Sequence, residues 1–194
     1  MRFPAFAVLA SGEGTTLQAV LDACADGRLP GRVGVVISNN ADAGALRRAR
    51  AAGVPGRHLS AATAGGESAL DQALRDTLRG FGIGQVLLAG YMKRLGPLTL
   101  AAFAGRIMNT HPSLLPEFGG QGMFGMNVHR AVLAAGRNSS GATVHWVDEN
   151  YDTGAVIAQV RVPVEAGDCA ESLAARVQAA ERELVVAVLR SATS

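Results

Sequence analysis

The chain has only two cysteines and few aromatic residues. Cys24 and Cys169 lie far apart and form no C-x-x-C pair, so the sequence indicates neither a disulfide framework nor a zinc site. Phenylalanine, tryptophan and tyrosine make up 5% of the chain, which leaves alanine, valine and leucine to build the core. We expect no secretory leader, because the first apolar stretch is short and leads directly into a glycine turn. These features are typical of a protein of the reducing cytoplasm.

Charge of one sign is not concentrated anywhere in the sequence. The 18 basic and 16 acidic residues give a formal net charge of +2 and are scattered, which disfavours binding to nucleic acids and membrane surfaces. Hydrophobic residues account for 48% and charged residues for 18%, so a disordered chain is excluded. The length of 194 residues suits one domain of roughly 100 to 200 residues. We therefore expect a single domain over residues 1–194 that binds small molecules.

Short apolar strands alternate with helical patterns through the first two thirds of the chain. The alternation begins with a strand at residues 6–10 and reaches two continuous apolar strands at 86–89 and 106–109. This pattern indicates parallel pairing, with helices on both faces of a twisted sheet. Beyond it, residues 142–148 and 156–164 alternate apolar with polar side chains, as extended or antiparallel strands do. The sequence predicts an α/β fold with a mostly parallel sheet and antiparallel strands in its last third.

The last predicted element is a helix. Asp168 and Glu171 have the spacing of a capping box, and apolar residues recur along one face after them. We therefore expect this helix to begin at Asp168.

A polar motif follows the strand at 106–109. Asn109 and His111 come immediately before Pro112, which has no N–H to donate and therefore ends regular pairing. In an open α/β sheet, ligands bind at the carboxyl ends of the strands, so these side chains are candidates for a site. Asp152 in the sequence YDTG offers a carboxylate. Both segments also suit plain turns held by side-chain hydrogen bonds, and that alternative stays open.

A glycine turn separates the first strand from the first helix. Its backbone N–H groups would face a ligand at the positive end of the helix dipole, which favours a phosphate. The turn is not a dinucleotide fingerprint, because Leu17 occupies the third glycine position and the second strand ends in Ser38 and Asn39 without an acid. A monophosphate therefore fits better than a dinucleotide. A purely structural turn is the alternative.

Four motifs occur in the order SGEGTTLQ, AGYMKRL, NTHPSLLP and YDTGAVIAQ. Together they resemble the folate-dependent formyltransferases, in particular the glycinamide ribonucleotide formyltransferase branch, over nearly the whole chain. The resemblance implies a Rossmann-like formyltransferase fold and transfer of a formyl group from 10-formyltetrahydrofolate to the amine of glycinamide ribonucleotide in purine synthesis. It also implies a monomer or homodimer, with formyl folate as co-substrate and no metal.

The resemblance carries roles over to matching residues of this chain. Asn109 would supply a hydrogen bond to the formyl oxygen, His111 would handle the proton, and Asp152 would favour the imidazolium form of His111 and hold a water. The residues that match the family's phosphate-binding loop are Gly12, Glu13, Gly14 and Thr15. Glu181 matches the acid that binds near the glycinamide end of the substrate. The residues that match the folate site are Tyr91, Met92, Lys93, Arg94, Leu95, Val147, Asp148, Glu149, Asn150, Tyr151 and Asp152.

Two residues of the turn depart from the family pattern. Glu13 and Thr16 stand where asparagine is common, so a carboxylate lies near the proposed phosphate site. A carboxylate that points to solvent would leave the backbone donors working, whereas one that points inward would lower the affinity for phosphate.

Other functions stay open at this point. Formyltetrahydrofolate deformylases and methionyl-tRNA formyltransferases share part of the motif set but normally carry an extra domain, which we do not expect here. A nucleotide-binding domain without catalytic activity would use the glycine turn alone.

The glycine-rich segment 118–127 suits a loop that closes over a substrate. We interpret the three histidines His58, His129 and His145 as structural.

Overall fold

The computed structural model describes residues 5–193, so the opening Met1 and Arg2 lie outside the described part. Seven strands form one sheet in the order β3-β2-β1-β4-β5-β6-β7. The strands are β1 (Ala5–Leu9), β2 (Arg32–Ser38), β3 (Gly56–His58), β4 (Ile83–Leu88), β5 (Ile107–His111), β6 (Ser139–Trp146) and β7 (Val156–Pro163). The helices are α1 (Thr15–Ala25), α2 (Gly44–Ala51), α3 (Ala61–Ala64), α4 (Glu67–Gly80), α5 (Pro97–Ala102), α6 (Met126–Ala134) and α7 (Ala170–Thr193).

The central strand β1 is buried on both faces. Phe6 and Val8 pack with residues of α1, α2 and α7, whereas the alternate residues Ala5, Ala7 and Leu9 pack with α4 and the segment after β4. Side chains of a strand point alternately to the two faces, so a continuous apolar run requires helices on both sides of the sheet. The predicted two-sided α/β architecture is confirmed.

The sheet changes direction after β5. β1 through β5 pair in parallel, whereas β5–β6 and β6–β7 are antiparallel, as the alternating patterns predicted. Antiparallel pairing brings Asn109 opposite His145, and His111 opposite Thr143. Strand β5 therefore runs two residues past the predicted end at Asn109, because β6 continues the pairing up to Pro112.

The start of α7 also differs from its prediction. The helix begins at Ala170, and Cys169 and Ser172 exchange the two capping contacts expected of Asp168 and Glu171. Asp168 instead accepts two hydrogen bonds from Arg176, in the second turn of the helix. Within residues 5–193, none of the helices combines the length with the apolar character that a membrane span requires.

Candidate active site

The candidate residues gather at the carboxyl edge of the parallel strands. The glycine turn follows β1, the segment with Tyr91 follows β4, and Asn109 and His111 form the end of β5. The loop between β6 and β7 brings Asp152 to the same edge. Four parts of the chain that are far apart in sequence therefore meet where ligands bind in folds of this kind.

Asn109 is joined to both His145 and Asp152. Its Nδ2 lies 3.0 Å from Nε2 of His145 and 3.5 Å from Oδ1 of Asp152. The Nδ1 of His145 contacts the carbonyl of Trp146 at 2.8 Å, which indicates that Nδ1 carries the proton and that Nε2 accepts from Asn109. The hydrogen bond to Asp152 is long, so an oxygen atom of a ligand in the cleft would compete with Asp152 for this amide hydrogen.

His111 is buried and held from both sides. Its Nε2 donates to the carbonyl of Phe118 at 2.8 Å, and its Nδ1 lies 3.5 Å from Oδ2 of Asp152. Burial lowers the pKa of His111 and outweighs the charge of Asp152 and the Phe118 carbonyl, which both raise it. The charge of Asp152 acts in the expected direction, towards imidazolium, but desolvation of the ring is the larger effect and the net shift of the His111 pKa is downward.

Asp152 sits in an unusual backbone conformation between the two imidazoles. Its φ of 57° lies in the left-handed region, which non-glycine residues seldom adopt and which clusters at functional sites. Oδ2 accepts the N–H of Gly120 at 2.9 Å, and Oδ1 lies 3.5 Å from Nε2 of His145. Burial alone would raise the pKa of Asp152, but the contacts with His145, His111 and Gly120 together hold it below its ordinary value.

His145 belongs to this group, although the sequence alone indicates only a structural role for it. It is buried, it lines the cleft, and it touches both Asn109 and Asp152. The signal that could have identified it is its register in β6, because alternation places it on the same face as Thr143 and opposite Asn109. That register depends on pairing between distant segments.

A narrow cleft lies beside this group. The predicted folate residues that line it are Tyr91, Lys93, Arg94, Leu95, Val147, Asp148, Glu149, Asn150, Tyr151 and Asp152. Met92 does not line the cleft in this structure; its side chain is 52% exposed and its N–H is bound to Ser11. His111 is likewise behind the cleft wall rather than part of it.

Arg94 spans the cleft from one wall to the other. Its guanidinium donates to the carbonyl of Glu149 and lies 5.6 Å from the centre of the Tyr151 ring. The remaining cavity measures about 80 Å³, whereas ligand pockets are typically ~300 to 1,000 Å³. A bound heterocycle therefore requires Arg94 and the loop 148–151 to move apart. Burial raises the pKa of Tyr91 at the base of the cleft to about 12.

The glycine turn presents free N–H groups. The carbonyls of Gly12, Glu13 and Gly14 accept hydrogen bonds from Ala45, Arg48 and Gln18. Among the described residues, no acceptor lies within hydrogen-bond reach of the backbone N–H groups of residues 12–17. Helix α1 starts after Gly14, which has a φ of 71° and provides no side-chain cap. Unpaired donors at a helix start are chemically suited to bind an anion.

Ser11 ties this turn to its neighbours. Its Oγ donates to Oδ1 of Asn39 at 2.5 Å and accepts the N–H of Met92 at 2.7 Å. Its own N–H is bound to the carbonyl of Gly90. One hydroxyl thus joins the segments that follow β1, β2 and β4.

The two carboxylates near the turn have opposite environments. The Glu13 side chain is 71% exposed and points towards α2, where it lies 3.4 Å from Arg47. Glu181 is buried on α7 and accepts the hydroxyl of Thr16 at 3.0 Å. Burial raises the pKa of Glu181 above its usual range, although Thr110 and Thr16 counteract the shift. Glu13 thus leaves the backbone donors unobstructed, while Glu181 lies beside the start of α1.

The glycine-rich segment 118–127 lies next to His111 and Asp152. Phe118 has a φ of 55° and its carbonyl binds His111, while the N–H of Gly120 binds Asp152. Towards the other end of the segment, Phe124 is 56% exposed to solvent. The segment therefore anchors two of the candidate residues.

The chain is similar to known proteins over nearly its whole length. A family model described as formyl transferase matches residues 5–189. The chloroplastic phosphoribosylglycinamide formyltransferase of Vigna unguiculata is 44% identical over 185 residues, which cover 95% of this chain and 59% of that protein. Phosphoribosylglycinamide formyltransferase of Escherichia coli (strain K12) is 40% identical over 182 residues, covering 94% of this chain and 84% of that protein. The chain spans 59% and 63% of two chloroplastic relatives it matches.

Solved structures show the same fold. Glycinamide ribonucleotide transformylase 1 from Symbiobacterium toebii superposes with a TM-score of 0.91 at 44% identity, covering 97% of this chain and 86% of that one. The corresponding enzyme from Geobacillus kaustophilus gives a TM-score of 0.92 at 38% identity over the full length of both chains. With a family match over nearly the whole chain and a sheet of the same form, the chain belongs to the formyl transferase family.

Proposed function

We propose that the protein transfers a formyl group from 10-formyltetrahydrofolate to the amine of glycinamide ribonucleotide. The products are N-formylglycinamide ribonucleotide and tetrahydrofolate, and the step belongs to purine biosynthesis. The observation that carries the proposal is the meeting of an anion-binding turn and a narrow cleft at one sheet edge, with Asn109 and Asp152 on the cleft wall. The names of the similar proteins support the same reaction. We further propose that residues 1–194 act as one formyltransferase domain.

The first half of the reaction forms a bond between the amine nitrogen and the formyl carbon. The electron pair of the C=O bond moves to the formyl oxygen, which becomes an oxyanion. The amide hydrogen of Asn109 that makes only a long hydrogen bond to Asp152 is suited to bind that oxygen instead, and one such donor is typically worth ~3 to 4 kcal/mol in the transition state. Collapse of the intermediate then breaks the bond to N10 of the folate.

The second requirement is a proton transfer. The attacking amine loses one proton and the leaving N10 gains one, so the protein must hold a proton between the two steps. Asp152 lies 3.5 Å from a ring nitrogen of each of two histidines, whose other ring nitrogens are bound to backbone carbonyls. Nδ1 of His111 faces the carboxylate, and Nε2 of His145 lies between the Asn109 amide and the carboxylate. The group His111–Asp152–His145 can accept one proton and return it.

Each ligand has its own proposed surface. The phosphate of the ribonucleotide would accept from the free N–H groups of Gly12, Glu13, Gly14 and Thr15, and Glu181 would bind towards the glycinamide end. The pterin would occupy the cleft between Tyr91–Leu95 and Val147–Asp152 after Arg94 releases the carbonyl of Glu149. The carbonyl carbon of the formyl group would then lie beside Asn109.

Product identity tests this proposal. The purified protein is incubated with 10-formyltetrahydrofolate, with and without glycinamide ribonucleotide, and the products are analysed by mass spectrometry. We expect formylated ribonucleotide in amounts that match the tetrahydrofolate released, and His111→Ala should abolish turnover while phosphate-ester binding persists. Release of formate without an amine would indicate a deformylase. Binding without any turnover would indicate a nucleotide-binding domain.

A further inference from the structure

Helix α2 packs directly against the glycine turn. The N–H of Ala45 donates to the carbonyl of Gly12 at 3.1 Å. A Cβ atom added to Gly14 would lie 2.8 Å from Cα of Ala45, and one added to Gly44 would lie 2.8 Å from Cα of Glu13. Glycine on both sides is thus needed for this close approach, and the turn and the start of α2 behave as one packed unit.

Arg48 makes the strongest contact between α2 and the turn. Its Nε donates to the carbonyl of Glu13 at 2.7 Å, and its Nη1 donates to Oε1 of Gln18 at 3.0 Å. The residue is half-buried, whereas Arg47 next to it is exposed and lies 3.4 Å from the Glu13 carboxylate. Arg48 therefore spans the turn and the first turn of α1 with two hydrogen bonds.

The contact fixes the direction of a backbone N–H. In a planar trans peptide, the carbonyl of Glu13 and the N–H of Gly14 point in opposite directions. Because Arg48 holds that carbonyl on the α2 side, the N–H of Gly14 must face the opposite, ligand side. Because glycine tolerates many backbone conformations, this hydrogen bond helps to select the orientation of the Glu13–Gly14 peptide within the packed turn.

We infer that Arg48 is a positioning residue for the phosphate end of the substrate, acting through the Glu13–Gly14 peptide without touching the ligand. This inference rests on the proposed function, because it assigns the free N–H groups of the turn to a phosphate. It adds a residue from a helix that supplies no direct ligand contact. The affinity for the phosphate then depends on α2 as well as on the turn.

The first test replaces Arg48 by methionine, which keeps the apolar stem and removes the donors. The control is Arg50→Met, which makes the same charge change at an exposed position of the same helix. We expect Arg48→Met to raise the KM for glycinamide ribonucleotide roughly tenfold, as for loss of a charged hydrogen bond. The kcat and the KM for the folate should stay within about twofold on the same reasoning, and Arg48→Lys should recover part of the loss.

The second test removes the phosphate from the substrate. If Arg48 acts through the phosphate, kcat/KM for glycinamide riboside, which lacks that group, should be the same for Arg48→Met and the unmodified protein. Equal losses on the ribonucleotide and the riboside would overturn the inference, because they would indicate a general structural defect. An unchanged KM for the ribonucleotide would overturn it as well.

The third test separates this inference from the proposed reaction. Binding of ribose 5-phosphate, measured by calorimetry, should weaken roughly tenfold in Arg48→Met and remain unchanged in Arg50→Met. If the protein forms no formylated product but shows this loss, the reaction is wrong and the role of Arg48 stands. If product forms while ribose 5-phosphate binds both proteins equally, or binds neither, the role of Arg48 is refuted.

Discussion

His111 and Asp152 face each other with Nδ1 and Oδ2 3.5 Å apart. Both groups are anchored to the same short segment, because His111 donates to the carbonyl of Phe118 and Asp152 accepts the N–H of Gly120. The neutral imidazole has a lone pair on Nδ1, which is directed at a carboxylate oxygen. The lone pair of His111 and the negative carboxylate of Asp152 repel each other, and a proton between them would turn this contact into an ion pair. Since burial disfavours a permanent charge on the His111 ring, the geometry favours a proton that is held only transiently.

Replacing Asp152 by asparagine removes the charge that raises the pKa of His111. We expect turnover to fall by about 10²- to 10⁴-fold, the range of a lost acid–base group. The pKa of His111 should fall further below its already lowered value, because the charge of Asp152 opposes the effect of burial. An NMR titration of the ring protons measures this shift. Ribose 5-phosphate affinity serves as the control, and turnover within tenfold of the unmodified protein would contradict the assignment.

His111 and His129 should each lower the free energy of unfolding in mild acid. Burial lowers the pKa of His111, and burial together with the charge of His111 lowers the pKa of His129. In the unfolded chain histidine titrates near ~6.5, so below that pH the unfolded state binds more protons than the folded state. The stabilisation is complete above about pH 6.5 and is lost as the pH falls towards the folded pKa values.

Urea unfolding at pH 7.5 and pH 5.5 measures this loss. Each histidine contributes at most about 1.4 kcal/mol per pH unit to the change in unfolding free energy. The variant His129→Asn should show a smaller difference between the two pH values, because one of the two groups has been removed. An equal or larger difference in that variant would show that His129 does not contribute.

The charge of Glu13 should modulate phosphate affinity only weakly. Its side chain points to solvent and is paired with Arg47, so Glu13→Gln should tighten ribose 5-phosphate binding by only about two- to fivefold at low salt. Arg47→Gln should weaken binding by a similar factor, and the double variant should resemble the unmodified protein. Calorimetry at two salt concentrations checks this, and a large effect that persists at high salt would indicate that Glu13 turns inward.

Gly154 should not tolerate a side chain. A Cβ atom there would lie 1.8 Å from the carbonyl oxygen of Trp146, whereas one at Gly80 would meet no atom within 4 Å. We expect Gly154→Ala to cost about 1 to 3 kcal/mol of unfolding free energy, as for an overpacked site. Turnover should fall as well, because Asp152 lies in the same loop. Gly80→Ala is the matched control, and equal thermal melting of the two variants would contradict the predicted clash.

Much of the fold could be predicted because it depends on local pattern. The run of buried residues in β1 required helices on both faces, and the alternation in β6 and β7 indicated antiparallel strands. Short elements such as β3 and α3 carry too few residues to establish a period. The exact end of β5 could not be read from Pro112 alone, because pairing with β6 extends the strand to His111.

The site was less predictable, because its properties depend on contacts between distant segments. His145 joins the group only through its register opposite Asn109. Glu181 has a sequence context typical of a solvated helix face, yet α7 turns it inward to Thr16. The protonation preference of His111 depends on how deeply the ring is buried, which no motif reveals. The catalytic and binding roles of these residues remain predictions that the experiments above test.

The hydroxyl of Ser11 links the proposed phosphate surface to the proposed folate surface. It is the shared partner of Asn39 and of the N–H of Met92, so a displacement of the turn after β1 is transmitted to the segment after β4. A phosphate seated on the turn would restrain Ser11 and, through Met92, the adjoining folate segment. Binding of either substrate, the ribonucleotide or the folate, would thereby prepare the surface for the other. The two affinities would be thermodynamically coupled in both directions.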